Sequence, residues 1–398
     1  ILRFLEPMSV RVRTLPGLDD LAYGRIRASE LKELDADDLL GRQPVEPDRN
    51  LIESDIRGKN VLVTGAGGSI GSELCRQIIA CQPKRLVLFD SSEFALFRIH
   101  QELLPRAGRS GVDLVPVLGS VQDEERIDEV ISSFGLNTVY HAAAYKHVPL
   151  VQGNPIEGLK NNVWGTIACA RAAHRHGVGK FVLVSTDKAV RPTNVMGATK
   201  RWAELIVHSF ATTRKGQNDR RRFCSVRFGN VIGSQGSVVP LFKEQIARGG
   251  PVTLTDPNMT RYFMAVNEAV ELIIQASSLS RGGETFLLDM GEPIRIRDLA
   301  ENMIRLAGLS IRDRDNPTGD IAIEIVGPRP GEKVVEELFY DPDRVEKTVH
   351  PKIMYGMKGR YENGMIKEAV GRLAEAVHSG DEARAREILF KLTSERSG

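Results

Sequence analysis

Short hydrophobic runs alternate along the chain with apolar residues at helical spacing, beginning near residue 59. The runs cover residues 61–63, 86–89, 114–117, 138–140, 181–184 and 223–228. Between two of them, Leu96, Ile99 and Leu103 recur three or four positions apart, which is typical of one face of a helix. Repeated alternation of strand and helix predicts a parallel sheet with right-handed crossovers and helices on both faces. Pro116 in the third run predicts an irregular strand.

The same pattern divides the chain into four parts. Residues 1–58 mix charged clusters with short apolar groups and predict a lead-in arm with a short helix that packs on the main domain. Residues 59–229 predict a Rossmann-like domain with a doubly wound parallel sheet. Residues 230–350 break the rhythm and predict a smaller C-terminal substrate-binding lobe, with segments that return to the sheet. Residues 351–398 predict a tail with two helices. The fold class is therefore α/β.

Composition narrows the function classes. The 398 residues are 41% hydrophobic and 27% charged, and the net charge is +2, so no strong field favours nucleic acid. Four scattered cysteines lack metal-ligand spacing and predict reduced, buried thiols rather than a metal site. No apolar run approaches the roughly 18 residues that span a bilayer. Because the sequence begins at Ile1, we expect it to be a piece of a longer protein.

A glycine-rich loop directly follows the first predicted strand and opens the first predicted helix, at residues 69–80. A longer helix is predicted near residues 161–176. Gly65, Gly68 and Gly71 have the spacing of a dinucleotide-binding fingerprint. Glycines permit a tight turn and close backbone approach, and the helix N-terminus faces the pyrophosphate. We therefore predict that Gly65, Gly68, Ser69, Ile70 and Gly71 contact a dinucleotide.

The second strand ends in Asp90, nineteen residues after Gly71. Its carboxylate can accept both adenosine ribose hydroxyls and would repel a 2′-phosphate, which favours NAD over NADP. Small or short side chains follow the third and fourth predicted strands, and they let the backbone lie against the cofactor. The further predicted contacts are Ser91, Ser120, Val121, Ala142 and Ala143.

Polar residues at the end of the fifth strand predict the chemical site. Thr186, Asp187 and Lys188 end that strand, and the carboxyl ends of parallel strands face the ligand crevice. On the next helix, Lys200 lies one turn beyond Met196, on the same face. A thioether has no proton to exchange, whereas Asp187 and Lys188 offer an acid and an amine side by side.

Residues 185–200 resemble the active site of the short-chain dehydrogenase/reductases, in which a strand-end Ser or Thr precedes a Tyr-x-x-x-Lys pair. Met196 stands in the tyrosine position, and the resemblance implies that Lys200 binds the nicotinamide ribose. The exchange of tyrosine for methionine beside Asp187 and Lys188 is similar to one branch of the superfamily, the nucleotide-sugar 4,6-dehydratases.

Several stretches look like the UDP-N-acetylglucosamine 4,6-dehydratases of bacterial polysaccharide and protein glycosylation. They are residues 63–71, 144–149, 185–200, 227–231 and 327–333, and the likeness covers about residues 45–350. The methionine form resembles the long, membrane-anchored members, which keep the configuration at carbon 5. The resemblance thus implies a homo-oligomer at the cytoplasmic face of the inner membrane, attached through segments missing from this chain.

The resemblance also implies the roles of the strand-end residues. NAD oxidises carbon 4 and returns the hydride to carbon 6. Asp187 serves as the acid at the 6-hydroxyl if burial keeps it protonated, and Lys188 serves as the base at carbon 5 if its pKa is lowered. Thr186 holds the 4-hydroxyl and relays its proton, with water in place of the missing tyrosine.

A UDP-sugar needs cations for its diphosphate. Arg261 and Arg329 occupy positions at which similar enzymes place phosphate-binding arginines, and a planar guanidinium suits bidentate phosphate contact. Asn230 occupies the nucleotide-contacting position of those relatives. Lys146 and His147 follow the fourth strand and can approach the sugar, although His147 fits a packing role equally well.

Two other functions fit parts of the pattern. A UDP-sugar 4-epimerase has the same fold but normally uses a tyrosine at position 196, and it has no use for an elimination pair. A non-catalytic dinucleotide-binding sensor or scaffold would explain Met196 as decay of the site. The intact Lys200 and the acid–base pair favour the dehydratase over both.

Overall fold

The computed structural model describes residues 45–213, 221–234, 236–340, 345–356 and 363–394, with the backbone of 13–14 and 32–33. The strands are β1 Arg13–Thr14, β2 Lys32–Glu33, β3 Asn60–Thr64, β4 Arg85–Asp90, β5 Asp113–Leu118, β6 Thr138–His141, β7 Lys180–Val184, β8 Arg222–Arg227, β9 Asn230–Val231, β10 Val252–Leu254, β11 Thr260–Arg261, β12 Phe263–Met264, β13 Thr285–Leu288, β14 Ile294–Arg295, β15 Ile311–Arg312, β16 Ile321–Ile325, β17 Val345–Lys347 and β18 Ile353–Gly356. The helices are α1 Arg49–Ser54, α2 Ser69–Ala80, α3 Glu93–Ser110, α4 Glu124–Ser133, α5 Val148–Gly153, α6 Pro155–Leu159, α7 Gly165–Arg175, α8 Val195–Thr212, α9 Val238–Ala247, α10 Val266–Leu279, α11 Ile296–Leu306, α12 Asn363–His378 and α13 Glu382–Ser394. A π-helical turn covers Lys160–Trp164 and a 3-10 turn covers Asp187–Ala189.

A nine-stranded sheet forms the centre of the molecule. Its order is β17-β18-β13-β8-β7-β6-β3-β4-β5. The pairings from β5 to β13 are parallel, and β18 and β17 add antiparallel pairings at the far edge. The predicted Rossmann-like fold is confirmed. The strand containing Pro116 lies at the other edge, where a residue without an N–H group interrupts no second ladder.

Strand β3 shows how the sheet is buried on both faces. Val61 and Val63 point to one face and pack in the same cluster as residues of α2 and α10. Leu62, between them, points to the other face and packs in the cluster that includes residues of α4 and α7. Successive side chains in a strand alternate between faces. A continuous apolar run therefore suits a sheet covered by helices on both sides.

Helix α8 is enclosed along most of its length. Trp202 is fully buried in a cluster formed with α12 and α13, and its indole Nε1 donates to the carbonyl of Leu389 at 2.9 Å. The two predicted tail helices are thus present, and they cover the outer side of α8. Residues 353–356, which the sequence analysis placed in the tail, form β18 of the main sheet.

The lobe and the arm complete the fold. The lobe has its own core around Phe242 and a small parallel sheet in the order β10-β16-β15. In the arm, α1 supplies the predicted short helix, and Asp55 just after it pairs with Lys180 of the main sheet at 2.8 Å. Most of residues 1–44 lie outside the described part of the chain. In the part that is described, no helix combines the length and apolarity needed to cross a membrane.

Candidate active site

The glycine loop between β3 and α2 needs glycine for steric reasons. Gly65 has a φ angle of +69°, and a Cβ atom there would lie 2.8 Å from the backbone of Ala143. A Cβ atom on Gly71 would lie 1.9 Å from the carbonyl oxygen of Gly65. Because real Cβ atoms do not approach so closely, the loop can fold this way only with glycine at both positions. The result is a shallow cradle at the N-terminus of α2.

Asp90 lies beside this cradle at the end of β4. One carboxylate oxygen accepts from the backbone N–H of Gly67 and the other from that of Ser92, both at 2.8 Å. The carboxylate thereby fixes the glycine loop and remains half-buried, with capacity for further hydrogen bonds. Ser91 is exposed next to it.

A cavity of about 860 Å³ extends from the glycine loop to the lobe. The predicted cofactor-binding residues in its wall are Gly65, Gly68, Ser69, Ile70, Gly71, Ala142 and Lys200. Outside that wall are Asp90, Ser91, Ser120, Val121 and Ala143. Val121 is buried against Gly165, and the Ser120 hydroxyl accepts from the backbone of Gln122 at 3.2 Å. The structure thus joins the glycine loop and Lys200 in one space.

The three strand-end residues form a connected polar group. The Thr186 hydroxyl donates to Asp187 Oδ1 at 2.9 Å, and Lys188 Nζ donates to the same oxygen at 3.0 Å. Lys188 Nζ also donates to Asn230 Oδ1 at 3.0 Å. Thr186, Lys188 and Asn230 line the cavity. Their shared hydrogen bonds hold the amine of Lys188 in one place.

Asp187 itself lies behind the cavity wall. It is 1% exposed, and its Oδ2 is buried without a hydrogen-bond partner among the described residues. Its backbone N–H donates to the carbonyl of Phe228, which turns the side chain towards Gly229. Of its two carboxylate oxygens, only Oδ1 accepts hydrogen bonds from cavity-lining residues, which are Thr186 and Lys188. This differs from the expectation that the carboxylate faces the ligand directly.

Met196 and Lys200 approach the cavity from α8. Asn194 caps this helix by accepting from the backbone N–H of Gly197 at 2.8 Å, which places Met196 in the first turn. Met196 is 3% exposed and Lys200 is 6% exposed, and both line the cavity. Burial lowers the pKa of Lys200 to about 8, while the Glu204 carboxylate opposes the shift.

The lobe side of the cavity is cationic. Arg261 and Arg329 both line it. Arg261 is buried and donates to the carbonyls of Thr260, Lys333 and Val334 at 2.7–3.0 Å. Part of the hydrogen-bonding capacity of its guanidinium is therefore used within the protein. Arg329 is exposed. Its guanidinium is therefore the more accessible of the two.

Lys146 and His147 stand at the mouth of the same cavity. Both residues are largely exposed, yet neighbouring protein atoms displace water from them. This desolvation lowers the pKa of Lys146. The pKa of His147 is lowered by the same cause and by the nearby Lys146 charge. His147 precedes α5 and lies against Gly236, which is consistent with either contact to a ligand or local packing.

Glu336 is a cavity residue that the sequence analysis missed. It is 5% exposed, lines the cavity, and its Oε1 lies 3.8 Å from Lys188 Nζ. Burial raises its pKa, Lys188 opposes the shift, and Asp187 adds to it. Two adjacent glutamates in a charged loop have the composition of a solvated segment, so no local signal distinguishes this one.

A buried ion-pair network supports the site from beneath. Glu204 accepts from Ser185 at 2.7 Å, from Arg227 at 2.5–2.6 Å and from Arg201 at 3.1 Å. The ring of Tyr340 lies 4.9 Å from the Arg201 guanidinium carbon and 5.3 Å from that of Arg227. The network ties β7, β8 and α8 together directly behind Lys188 and Lys200.

Comparison with known proteins gives the family. A family model described as "Polysaccharide biosynthesis protein" matches residues 61–358. The chain belongs to this polysaccharide biosynthesis protein family. Within it, the capsular polysaccharide biosynthesis protein CapD of Staphylococcus aureus is 48% identical over 366 residues. That match covers 92% of this chain but 58% of the relative, so the chain spans less than two thirds of the relative's length.

Other relatives of this family member have more specific names. A UDP-N-acetylglucosamine 4,6-dehydratase (inverting) of Campylobacter jejuni is 31% identical over 72% of this chain and 79% of its own length. A UDP-glucose 4-epimerase of Rickettsia rickettsii is 32% identical over 70% of this chain and 77% of its own. The solved structure of Pen from Bacillus thuringiensis superimposes with a TM-score of 0.68 at 33% identity, over 76% of this chain and 89% of that one.

Proposed function

We propose that the protein catalyses NAD-dependent 4,6-dehydration of UDP-N-acetylglucosamine to a UDP-4-keto-6-deoxy-N-acetylhexosamine, with retention at carbon 5. The product would serve bacterial polysaccharide or glycoprotein sugar biosynthesis. One observation carries the proposal. The Lys188 amine, bonded to Asp187 at 3.0 Å, reaches the cavity wall, while α8 offers a thioether at Met196 where a simple dehydrogenase or epimerase needs a phenol.

The residues present fit NAD. The cradle at Gly65 and Gly71 would be filled by a Cβ atom at either position, and it opens on the N-terminus of a twelve-residue helix. Such a terminus binds the pyrophosphate. Asp90 is held against the cradle and favours unmodified ribose hydroxyls over a 2′-phosphate. Lys200 would bind the nicotinamide ribose further along the same cavity.

The chain's own groups would move the protons of the reaction. NAD, when bound, supplies hydride acceptance from carbon 4 and hydride return to carbon 6. Thr186 would hold the 4-hydroxyl and relay its proton to water. The amine of Lys188 would remove the carbon 5 proton and return a proton to carbon 5 when carbon 6 receives the hydride. Asp187 would supply the proton for the departing 6-hydroxyl by way of the Thr186 and Lys188 side chains, whose hydrogen bonds its Oδ1 accepts. An elimination needs this acid and base close together.

The lobe would hold the nucleotide. Arg329 is exposed in the cavity wall, and Arg261 is fixed by backbone carbonyls in the same wall. Guanidinium groups suit the diphosphate. Asn230 would contact the nucleotide, although its Oδ1 also accepts from Lys188. Lys146 and His147 would approach the sugar from the cavity mouth. We further propose a homo-oligomer at the cytoplasmic face of the inner membrane, which light scattering and cell fractionation would test.

Proton NMR of UDP-N-acetylglucosamine with the protein in deuterated water tests the proposal. We expect a new methyl signal beside a hydrated 4-keto sugar, with carbon 5 couplings that show retention. Asp187→Asn and Lys188→Ala should nearly abolish water loss and leave NAD binding intact. Lys84→Ala, at an exposed lysine that does not line the cavity, is the matched control and should turn over normally. Near wild-type turnover by either strand-end variant would refute the roles assigned here.

The epimerase is the second candidate, because an epimerase relative is as similar as the dehydratase relative. Conversion to UDP-N-acetylgalactosamine without a methyl signal would establish it. Met196 argues against it, since its thioether cannot exchange the proton that a 4-epimerase transfers. An unchanged spectrum with verified NAD binding would favour another nucleotide sugar or a dinucleotide-binding sensor.

A further inference from the structure

Glu336 brings a second carboxylate to Lys188 from a distant part of the chain. It follows β16 in the segment 329–340, and its Oε1 lies 3.8 Å from Lys188 Nζ. The side chain is nearly buried yet lines the cavity. None of the described residues donates a hydrogen bond to it. Buried carboxylates are normally satisfied, so this one is directed at the amine and the cavity rather than at the protein framework.

The segment 329–340 is fixed against the strand-end loop, so the position of Glu336 is defined. Asn194 Nδ2 donates to the carbonyl of Gly331 at 3.0 Å, before Glu336. The Tyr340 hydroxyl donates to the carbonyl of Ala189 at 2.9 Å, after it. Contacts on both sides hold the carboxylate over Lys188.

Charged groups from three parts of the described chain lie near this amine. Groups that face Lys188 and Glu336 come from the strand-end loop, from β11 and from the segment 329–340. They are Asp187, Arg261, Glu332 and Lys333. Asp187 and Glu336 are the carboxylates next to the amine, and Glu332 lies 3.8 Å from Arg261 instead. A negative charge within about 4–6 Å of an amine favours its protonated form.

We propose that Glu336 is a positioning residue of the reaction, which acts through Lys188 by directing its amine into the cavity. The inference rests on the proposed function, because it concerns the amine assigned as the base at carbon 5. A base must release its proton before each turnover, so Glu336 sets the pH at which Lys188 becomes competent.

The pH dependence of Lys188 labelling tests this inference without any turnover. The amine lines a cavity open to small molecules, so acetic anhydride is a suitable probe, with peptide mass spectrometry to quantify Lys188 between pH 6 and 10. In Glu336→Gln the labelling midpoint should fall by about one pH unit or more, since loss of an opposite charge at this range has that effect. In Glu336→Asp, with the charge one methylene further away, the midpoint should lie between the two.

Glu337→Gln is the matched control. Glu337 pairs with Arg191 and Lys333 at the surface of the same segment, so its loss perturbs the segment but not the charge beside Lys188. Its labelling midpoint should equal that of the wild type. An unchanged midpoint in folded Glu336→Gln would overturn the inference. If that variant fails to fold, an unchanged midpoint in Glu336→Asp would do the same.

Turnover separates this inference from the proposed function. Where the wild type converts UDP-N-acetylglucosamine, the acidic limb of kcat in Glu336→Gln should move to lower pH together with the labelling midpoint. A purely structural glutamate would lower kcat at every pH and leave the midpoint in place, which would refute the inference. A shifted midpoint with no turnover by the wild type would support the role of Glu336 and reject the assigned substrate.

Discussion

Replacing Lys200 by methionine should stabilise the protein while it abolishes turnover. Lys200 is 6% exposed, and no described residue accepts a hydrogen bond from its amine. The ammonium form is therefore held in the fold at a cost. Methionine has a similar length and carries no charge, so Lys200→Met keeps most of the packing and removes that cost.

The size of the effect follows from the pKa. Burial lowers the pKa of Lys200 from 10.5 to about 8. The unfolded chain binds this proton more tightly, so wild-type stability rises with pH between about 8 and 10.5. Below that window the lysine is charged in both states. The free energy of unfolding is then lower than above the window by about 3 kcal/mol, since each pKa unit is worth about 1.4 kcal/mol. The methionine variant has no such loss.

Urea unfolding of the NAD-free proteins, followed by tryptophan fluorescence, measures the difference. At pH 7 the free energy of unfolding of Lys200→Met should exceed that of the wild type by up to about 3 kcal/mol, and at pH 9.5 by about half as much. Lys160→Met, at an exposed lysine, should differ from the wild type by less than about 0.5 kcal/mol at both pH values. A methionine variant less stable than the wild type at pH 7 would refute the reasoning.

Three further substitutions test other parts of the site. Gly71→Ala should abolish NAD binding measured by calorimetry, because its Cβ atom would lie 1.9 Å from a backbone oxygen, whereas Gly108→Ala, with open space around it, should bind normally. Met196→Ala should retain more turnover than loss of Lys200 in the NMR assay, and the reverse order would show that Met196 shapes the sugar pocket. Glu204→Gln should lower the unfolding free energy in urea by about 3–5 kcal/mol, because it removes the buried carboxylate charge that pairs with Arg201 and Arg227, and a loss below 1 kcal/mol would contradict this.

The sheet and the glycine loop were predictable because their signals are local. The predicted helix at 69–80 has the same bounds in the structure, and the first strand differs by one residue at each end. Apolar period, glycine spacing and a strand-end acid are all read within a few tens of residues. The predicted helix at 161–176 is also present, but its first turn, Lys160–Trp164, is π-helical. No local pattern in the sequence indicates that wider turn.

The organisation around Lys188 was not predictable, because it depends on contacts between distant segments. Asn230 and Glu336 reach the amine from the lobe side, and neither is close to it in sequence. The orientation of Asp187 also depends on a tertiary contact, the hydrogen bond from its N–H to the carbonyl of Phe228. Sequence reasoning identified the acid and the amine but placed both in the crevice. The structure leaves only the amine there.

The structure separates an apolar side of the cavity from a side lined by polar and titratable groups. On α8, Met196 and Lys200 lie in a helix sealed by the tail helices, where burial already disfavours the charge on Lys200. A tyrosinate base at position 196 would add a second charge to that dry environment. On the opposite wall, the strand-end loop and Glu336 surround Lys188 with oxygen atoms. The proposed proton transfer at this wall would need no phenol on α8, which is consistent with a methionine at position 196.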